Sequence, residues 1–292
     1  MKKLSFIQRK NQSHWVGDGF PVRSIFSYND IAEEMSPFLL LDYAGPVEFP
    51  PTTQKKGVGE HPHRGFETVT IVYDGEVEHR DSSGGGGKIG PGDVQWMTAG
   101  SGIVHEEFHG REFAKKGGAF EMIQLWVNLP KKDKMTSPGY QGITDIQIPR
   151  VPLPKDSGSV RVIAGDFQEN KGAARTFSPM NVWDIEARAG SGIQLKVPSG
   201  HTSAILVIKG QIKLPSGETV GKAELAVMER EGSDLSFEAT ENSSILFLGG
   251  QPLNEPIVGY GPFVMNTEAE IRQAFVDYQS GKMGKLSRGA TT

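Results

Sequence analysis

Short apolar runs alternate with turn-forming residues along most of this 292-residue chain. The chain has 37 glycines and 18 prolines, and together with Asp, Asn and Ser they separate one run from the next. Helices need longer periodic stretches, whereas short runs rich in β-branched residues and bounded by Gly and Pro are typical of strands. The sequence therefore predicts an all-β fold, a sandwich or barrel made of many short strands.

One pattern occurs twice. Residues 67–73 are rich in β-branched residues, and Asp74-Gly75 and a second run follow. Residues 202–212 have the same form around Lys209-Gly210. Each copy predicts a β-hairpin, and a recurrence after about 135 residues predicts an internal duplication.

A run of prolines marks the best boundary between the two copies. Pro149, Pro152 and Pro154 come before Asp156-Ser157-Gly158, a composition typical of a connecting segment. We therefore predict an N-terminal domain over residues 1–145 and a C-terminal domain over residues 146–292.

Histidines are concentrated in the first copy. Five of the seven lie within fifty residues, namely His61, His63, His79, His105 and His109. Side chains two residues apart on a strand share one face. His61 and His63 form one such pair, and His105 and Glu107 form another. Two same-face pairs of nitrogen and oxygen ligands predict a mononuclear metal site.

The carboxylate of this site has three candidates. Glu106 has the wrong parity and should face away from His105. Glu67 shares parity with His61 and His63, but four residues of straight strand would place it about 13 Å from His63. This geometry favours Glu107 and leaves Glu67 as the competitor.

The chain has no cysteine, so a metal would be held by nitrogen and oxygen ligands alone. Three imidazoles and one carboxylate leave about two open positions on an octahedral ion. That arrangement favours Fe(II), and Mn, Ni, Cu and Zn remain alternatives because affinity alone does not select among them.

Other features are weaker signals. His79 fits either a residue supporting the site or a partly exposed strand position, and His109 fits a loop. Residues 85–90 satisfy the spacing of a dinucleotide-binding loop, but Pro91-Gly92 follows at once and leaves no helix to hold a pyrophosphate.

The second copy lacks the histidine pair. His61 and His63 precede Gly75 by 14 and 12 residues. The residues that precede Gly210 by the same distances are Lys196 and Pro198. The C-terminal domain is therefore predicted to hold no metal.

The end of the chain has a helical pattern. Thr267 and Glu270 form a capping box. Ile271, Phe275 and Tyr278 follow at helical spacing and predict one amphipathic helix packed on the β structure.

Three segments together resemble the pirin family of the cupin superfamily. They are His61-Pro62-His63-Arg64-Gly65-Phe66-Glu67-Thr68-Val69-Thr70, residues 91–107 from Pro91-Gly92-Asp93 to His105-Glu106-Glu107, and Val127-Asn128-Leu129-Pro130. The match is dense over residues 20–165 and looser beyond.

The resemblance implies a fold and a metal site. It implies two cupin-type β-barrel (jelly-roll) domains in tandem, with terminal segments crossing between them and a short C-terminal α-helix. It also implies one iron in the N-terminal barrel, held by the residues matching His61, His63, His105 and Glu107, and no metal in the C-terminal barrel.

The resemblance also implies an activity. Pirins are described as quercetin 2,3-dioxygenases, which open a flavonol ring with O2 and release CO. The substrate would then be a flavonol or a similar enol, with Glu107 as metal ligand and catalytic base. The alternative is a metal-binding regulatory protein, a transcription co-regulator or redox sensor that acts through a protein partner with little or no turnover.

Composition excludes some classes of function. The formal charge is −4 and no basic face stands out, so direct nucleic-acid binding has no support. No apolar run approaches about 18 residues, so we expect no membrane span. We expect a cytoplasmic monomer.

Overall fold

The computed structural model describes residues 1–10 and 12–286. The chain divides into two compact units, each made of three segments. The N-terminal unit comprises Gln12–Asp30, Leu39–Asp145 and Asn254–Thr292. The C-terminal unit comprises Met1–Asn11, Ile31–Phe38 and Ile146–Leu253.

One limit between the units lies between Asp145 and Ile146. The ends of the chain are assigned differently from a simple division there. The first segment belongs to the C-terminal unit because strand Leu4–Arg9 pairs with strand Glu224–Met228. The last segment belongs to the N-terminal unit. The domain limits 1–145 and 146–292 remain a prediction, and the observed units differ from it in where the two ends of the chain and residues 31–38 are placed.

The described residues contain 26 strands and three α-helices. The strands are β1 (Leu4–Arg9), β2 (Ser13–Val16), β3 (Phe20–Phe26), β4 (Phe38–Phe49), β5 (Gly57–His63), β6 (Phe66–Asp74), β7 (Val77–Asp81), β8 (Gly86–Ile89), β9 (Val94–Thr98), β10 (Ile103–His109), β11 (Gly118–Asn128), β12 (Gly139–Ile143), β13 (Arg150–Pro152), β14 (Gly158–Ala164), β15 (Asp166–Phe167), β16 (Asn170–Lys171), β17 (Met180–Ala187), β18 (Ser191–Lys196), β19 (Thr202–Lys209), β20 (Gln211–Lys213), β21 (Thr219–Gly221), β22 (Glu224–Met228), β23 (Asp234–Ala239), β24 (Ser243–Gly250), β25 (Val258–Tyr260) and β26 (Phe263–Met265). The helices are α1 (Ala32–Met35), α2 (Arg111–Lys116) and α3 (Glu268–Gln279). Short 3₁₀ helices occupy Lys131–Asp133, Asp145–Gln147 and Pro154–Asp156.

Each unit contains one seven-stranded and one four-stranded antiparallel sheet. In the N-terminal unit the orders are β12-β9-β6-β11-β4-β3-β2 and β5-β10-β7-β8. In the C-terminal unit they are β1-β22-β19-β24-β17-β14-β13 and β18-β23-β20-β21. Ten of the eleven strands correspond in chain order, and β1 takes in the C-terminal unit the place that β12 has in the N-terminal unit. This correspondence supports the internal duplication, and the predicted all-β, two-cupin architecture is confirmed.

The predicted hairpins are wrong, although their turns are correctly placed. Gly75 has a φ of 88° and does turn the chain. However, β6 pairs with β9 and β11, whereas β7 pairs with β8 and β10. The turn therefore carries the chain from the seven-stranded sheet to the four-stranded sheet. The turn at Gly210 does the same between β19 and β20.

Alternate residues of the strands fill the interior of each unit. In the C-terminal unit the rings of Trp183 and Phe247 stack with centroids 4.7 Å apart. In the N-terminal unit His109 lies in β10, where its ring packs against Phe49 at 4.5 Å and Phe120 at 4.8 Å. The prediction that His109 is a loop residue is wrong, because this histidine is only 5% exposed.

The predicted C-terminal helix is confirmed as α3. The Thr267 hydroxyl accepts from the Glu270 N–H at 3.2 Å and donates to the Glu270 carboxylate at 2.9 Å. Ile271 is buried, whereas Tyr278 is 38% exposed, so the predicted apolar stripe is only partly covered. No helix in residues 1–10 or 12–286 has the length and apolar character needed to cross a bilayer.

Candidate metal centre

The two histidine-bearing strands are neighbours in the four-stranded sheet. Strand β10 runs antiparallel to β5, with His105 opposite His61 and Ile103 opposite His63. This register brings the two pairs of side chains together. The candidate ligand atoms of His61, His63 and His105 lie within 4.8 Å of one another.

Glu107 belongs to an adjoining group. The ladder between β5 and β10 is irregular between His105 and Glu107, and on the other side of β10 Glu107 lies opposite His79 of β7. The ligand atoms of His79, His105 and Glu107 also lie within 4.8 Å of one another. His105 is common to both groups, so all four predicted ligands and His79 form one cluster.

The other two glutamates lie outside this cluster. Glu106 accepts hydrogen bonds from Lys55 Nζ at 2.9 Å and Arg80 Nε at 2.5 Å, as its parity predicted. Glu67 is fully buried and accepts from the Thr98 hydroxyl at 2.7 Å. Burial raises the pKa of Glu67 to about 7, so this side chain keeps its proton to a much higher pH than an exposed glutamate does.

Backbone carbonyls fix the tautomers of two histidines. His61 Nδ1 lies 2.8 Å from the Gly59 carbonyl, and His63 Nδ1 lies 3.3 Å from the Pro262 carbonyl. A carbonyl can only accept, so each Nδ1 carries the proton and each Nε2 keeps a free lone pair.

A chain of three side chains fixes the tautomer of His105. Asp81 Oδ2 lies 3.1 Å from His79 Nε2, and His79 Nδ1 lies 3.2 Å from His105 Nδ1. The Asp81 carboxylate accepts from His79 Nε2–H, which leaves His79 Nδ1 to accept from His105 Nδ1–H. His105 Nε2 is then free of a proton.

Asp81 is held firmly as an acceptor. Its Oδ1 accepts from the Ser83 N–H at 2.8 Å, the Ser83 hydroxyl at 2.6 Å and the Gly85 N–H at 3.0 Å. Burial acts to raise the pKa of Asp81, but the hydrogen bonds from His79 and Ser83 outweigh it and lower that pKa. The side chain is therefore a carboxylate, as the tautomer of His79 requires.

Glu107 is oriented by a second chain of hydrogen bonds. Gln95 Nε2–H donates to Glu107 Oε1 at 3.0 Å, and the Thr70 hydroxyl lies 3.4 Å from the same oxygen. The Tyr140 hydroxyl donates to Gln95 Oε1 at 3.3 Å. Burial and the charges of Glu107 and Asp81 raise the pKa of Tyr140 to about 12, so it stays a donor.

These supporting residues were not found from the sequence. Asp81, Gln95 and Tyr140 are not histidines, and their distances from the ligands along the chain carry no pattern. One signal was available for Gln95. It is a fully buried polar residue in the middle of the apolar strand β9, where an amide needs a partner.

Burial keeps the central imidazoles neutral. It lowers the pKa of His63 and of His105 well below the usual value, and the neighbouring histidines add to the effect. A metal ligand must present an unprotonated nitrogen. His105 Nε2 is such an atom, since it is buried and has no hydrogen-bond partner among the described residues.

An orphaned buried nitrogen costs free energy unless something binds it. Three converging imidazoles beside a carboxylate are a donor set that suits a divalent transition metal. The residues present therefore fit a metal ion.

Aromatic rings line one side of the cluster. The His63 ring lies 5.1 Å from Phe66 and 5.2 Å from Trp126. Phe66 and Trp126 are themselves stacked at 4.3 Å, and Tyr28 continues the stack at 6.3 Å. Phe66 is fully buried and Trp126 is partly exposed, so the Trp126 ring forms an aromatic wall that adjoins His63.

The turn after His63 is held by buried charges. Arg64 forms an ion pair with Asp277 at 2.9 Å, and both side chains are at most 10% exposed. Lys134 donates to the carbonyls of Gly65 and Val264 at 2.7 and 2.8 Å and to Asn128 Oδ1 at 2.7 Å. Three acceptors match the three N–H groups of an ammonium, although burial lowers the pKa of Lys134 to about 7.

Both ligand-type groups lie in the N-terminal unit, and no such group of three occurs elsewhere in the described residues. In the C-terminal unit Lys196, Pro198 and His201 line an open cavity of about 510 Å³. That this unit holds no metal stays a prediction.

Comparison with known proteins identifies the family. Residues 19–127 match the family model described as Pirin, and residues 182–284 match the Pirin C-terminal cupin domain. A Pseudomonas aeruginosa protein, whose name gives quercetin 2,3-dioxygenase only as a proposed activity, is 55% identical. That match covers 97% of this chain and 98% of the relative.

Two further comparisons agree. A crystal structure described as quercetin 2,3-dioxygenase from Acinetobacter baumannii is 54% identical, with a TM-score of 0.96 over 98% of this chain and all of that one. Pirin of Homo sapiens is 37% identical over 96% of this chain and 93% of its own length. The chain therefore belongs to the pirin family.

Proposed function

We propose that this protein is a metal-dependent dioxygenase that opens flavonols of the quercetin type with O2 and releases CO. The observation that carries the proposal is the convergence of His61, His63 and His105 beside Glu107. Free lone pairs on the three Nε2 atoms make these side chains the metal ligands we propose, with Glu107 as the fourth. The names of the relatives that are 54–55% identical support the reaction.

For the metal we propose one Fe(II) ion. Four protein ligands of this type leave about two open positions on an octahedral ion, as in non-haem iron oxygenases. Manganese, nickel, copper and zinc are the alternatives, since imidazole and carboxylate bind each of them.

A bound divalent ion would act as a Lewis acid and lower the pKa of a flavonol 3-hydroxyl placed beside it. The chain itself would manage the proton. Glu107 is the residue we propose as base, because it is the carboxylate of the cluster. Gln95 holds Glu107 Oε1 and so orients the carboxylate toward its neighbours.

The aromatic wall fits the proposed substrate class. A flavonol is planar, and the partly exposed ring of Trp126 offers an apolar surface next to His63, with the buried Phe66 stacked on it. Aromatic rings stack favourably on one another, with a gain of about 0.5–1.5 kcal/mol beyond area burial. We propose that the substrate ring system lies against this wall.

The test is a turnover assay. The protein is loaded anaerobically with Fe(II), then mixed with quercetin and O2, while CO release and loss of the flavonol absorbance are followed. We expect both signals to be metal-dependent and absent in His105→Ala. The absence of turnover with Fe, Mn, Ni and Cu in a protein that binds these metals would refute the dioxygenase proposal.

A second candidate is a metal-binding regulatory protein that acts through a protein partner. It is favoured by similarity to the human relative, whose name states no enzymatic activity. Tight metal binding without turnover would support it. The cytoplasmic location and the monomeric state remain predictions, which fractionation and sedimentation would check.

A further inference from the structure

We propose that Asp81, His79 and Tyr140 are positioning residues that set which nitrogen of His105 faces the metal. This inference rests on the proposed metal site and assigns to it a supporting network. The network has two arms, one ending at His105 and the other at Glu107, and Tyr140 touches both.

The first arm works through proton positions. Asp81 can only accept, so His79 must place its proton on Nε2. The facing Nδ1 atoms of His79 and His105 are 3.2 Å apart, and His105 must then supply the proton between them. Orienting partners of this kind fix the tautomer of metal-bound histidines. Here the carboxylate acts through an intervening histidine.

The second arm works through an amide. The Tyr140 hydroxyl donates to Gln95 Oε1, which leaves Gln95 Nε2–H to donate to Glu107. The Tyr140 ring also stacks on His79, with centroids 5.2 Å apart and an angle of 16° between the planes. One side chain therefore fixes the amide of Gln95 and the ring plane of His79.

Glycines make the space that this arrangement needs. A Cβ atom at Gly85 would lie 2.5 Å from Asp81 Oδ2 and 3.0 Å from Tyr140 Cβ. A Cβ atom at Gly87 would lie 3.2 Å from the Tyr140 hydroxyl oxygen. The glycine-rich loop that fails as a nucleotide motif thus has a packing role beside Asp81 and Tyr140.

The tautomer argument makes an unusual prediction for Asp81→Asn. Three donors surround Oδ1 of Asp81, so the asparagine oxygen should stay there and its NH2 should face His79. His79 Nε2 would then accept, His79 Nδ1–H would donate to His105, and His105 would carry its proton on Nε2. The replacement closest in shape thereby blocks the proposed ligand atom.

Asp81→Ala removes the carboxylate without imposing the wrong tautomer. A purely structural role predicts that this truncation is the more damaging change. The chain of proton positions from Asp81 through His79 to His105, called here the relay, predicts the opposite order. In that order Asp81→Asn weakens metal binding about 10-fold or more, and Asp81→Ala weakens it less.

The experiment measures dissociation constants for Ni(II) and Co(II) by competition with a chelating dye. The proteins are wild type, Asp81→Asn, Asp81→Ala and the control Asp42→Asn. Asp42 is a buried carboxylate that accepts from the Ser24 hydroxyl, outside the cluster. We expect the control to bind like wild type. Equal binding by Asp81→Asn and wild type, or weaker binding by Asp81→Ala than by Asp81→Asn, would overturn the relay.

Nitrogen-15 NMR of the metal-free wild-type protein gives a second test, which does not depend on whether any variant folds. We expect His105 to be protonated at Nδ1, and protonation at Nε2 would contradict the relay.

The second arm is tested by Tyr140→Phe, which keeps the ring stack and should lose less affinity for the metal than Tyr140→Ala. Equal affinity of Tyr140→Ala and wild type would remove Tyr140 from the network.

Failure of the inference is distinguishable from failure of the proposed function. If the wild-type protein binds neither metal, the proposed site is wrong. If it binds one equivalent and the Asp81 variants follow the wrong order, the site stands and the relay falls.

Discussion

Gln95 Nε2–H donates a hydrogen bond at 3.0 Å to Glu107 Oε1, which connects β9 of the seven-stranded sheet with β10 of the four-stranded sheet. This hydrogen bond gives Glu107 an environment different from that of Glu67, the competing candidate for the carboxylate ligand. Glu107 is supported by a neutral amide within the histidine cluster, whereas Glu67 is buried outside both groups of candidate ligands.

Metal content should follow this separation. We expect purified His63→Ala and Glu107→Ala to lose most of the bound metal, because each loses a proposed ligand. Glu67→Gln should keep about one equivalent, since glutamine has the shape of the neutral acid. Elemental analysis of the three variants checks this, and metal loss in Glu67→Gln with retention in Glu107→Ala would reverse the assignment.

The contribution of Glu67 to stability should fall with rising pH, whereas the buried histidines, whose pKa values are lowered, contribute with the opposite sign. The folded pKa of Glu67, about 7, lies above the usual glutamate value of 4.5, so the folded state holds a proton that the unfolded chain loses. The contribution is complete below the unfolded pKa and is lost as pH rises to about 7. At about 1.4 kcal/mol per unit the effect is on the order of 2–3 kcal/mol.

Urea unfolding at pH 4.5 and pH 7.5 measures this effect. From pH 4.5 to pH 7.5, the unfolding free energy should change more favourably in Glu67→Gln than in wild type, because the histidine contribution is common to both proteins. Identical changes in both proteins would show that Glu67 ionises normally.

The buried ion pair between Arg64 and Asp277 should be important for stability. Asp277→Ala would leave the Arg64 guanidinium buried without its carboxylate, a change that typically costs about 3–5 kcal/mol. Glu268→Ala, which removes the exposed partner of Arg272, is the matched control and should cost less than about 0.5 kcal/mol. Urea unfolding measures both, and similar values for the two variants would contradict this account.

Gly85→Ala should perturb the site without straining the backbone. The added methyl group would press on Asp81 and Tyr140, so we expect weaker Ni(II) binding. The loss of unfolding free energy should be smaller than the loss of Ni(II) binding free energy. Gly192→Ala is the control, because nothing lies within 4 Å of a Cβ atom there. Unchanged Ni(II) affinity in Gly85→Ala would show that the loop does not hold Asp81 in place.

The sequence was sufficient for features that depend on strand periodicity. Two-residue spacing placed the histidine pair of β5 on one side and set Glu106 apart from Glu107, because side chains alternate on every strand. The turn at Gly75 was also visible, because glycine is favoured where φ is positive.

Pairing between distant strands was not visible. A tight turn between two strands usually means a hairpin, but after Gly75 the chain changes sheets. Which strands pair is decided by the packing of the whole unit. For the same reason Asp81 and Tyr140 could not be connected with His79 before the strands were placed.

The central claim is that one metal ion is held by His61, His63, His105 and Glu107. An anomalous difference map from crystals of the Fe(II)-loaded protein, collected at the iron absorption edge, tests it most directly. We predict one strong peak in the N-terminal unit, about 2.0–2.2 Å from the three histidine Nε2 atoms and a Glu107 oxygen, by analogy with Zn–N and Zn–O bond lengths. A peak bonded to Glu67 or His79, or no peak at this cluster, would contradict the account.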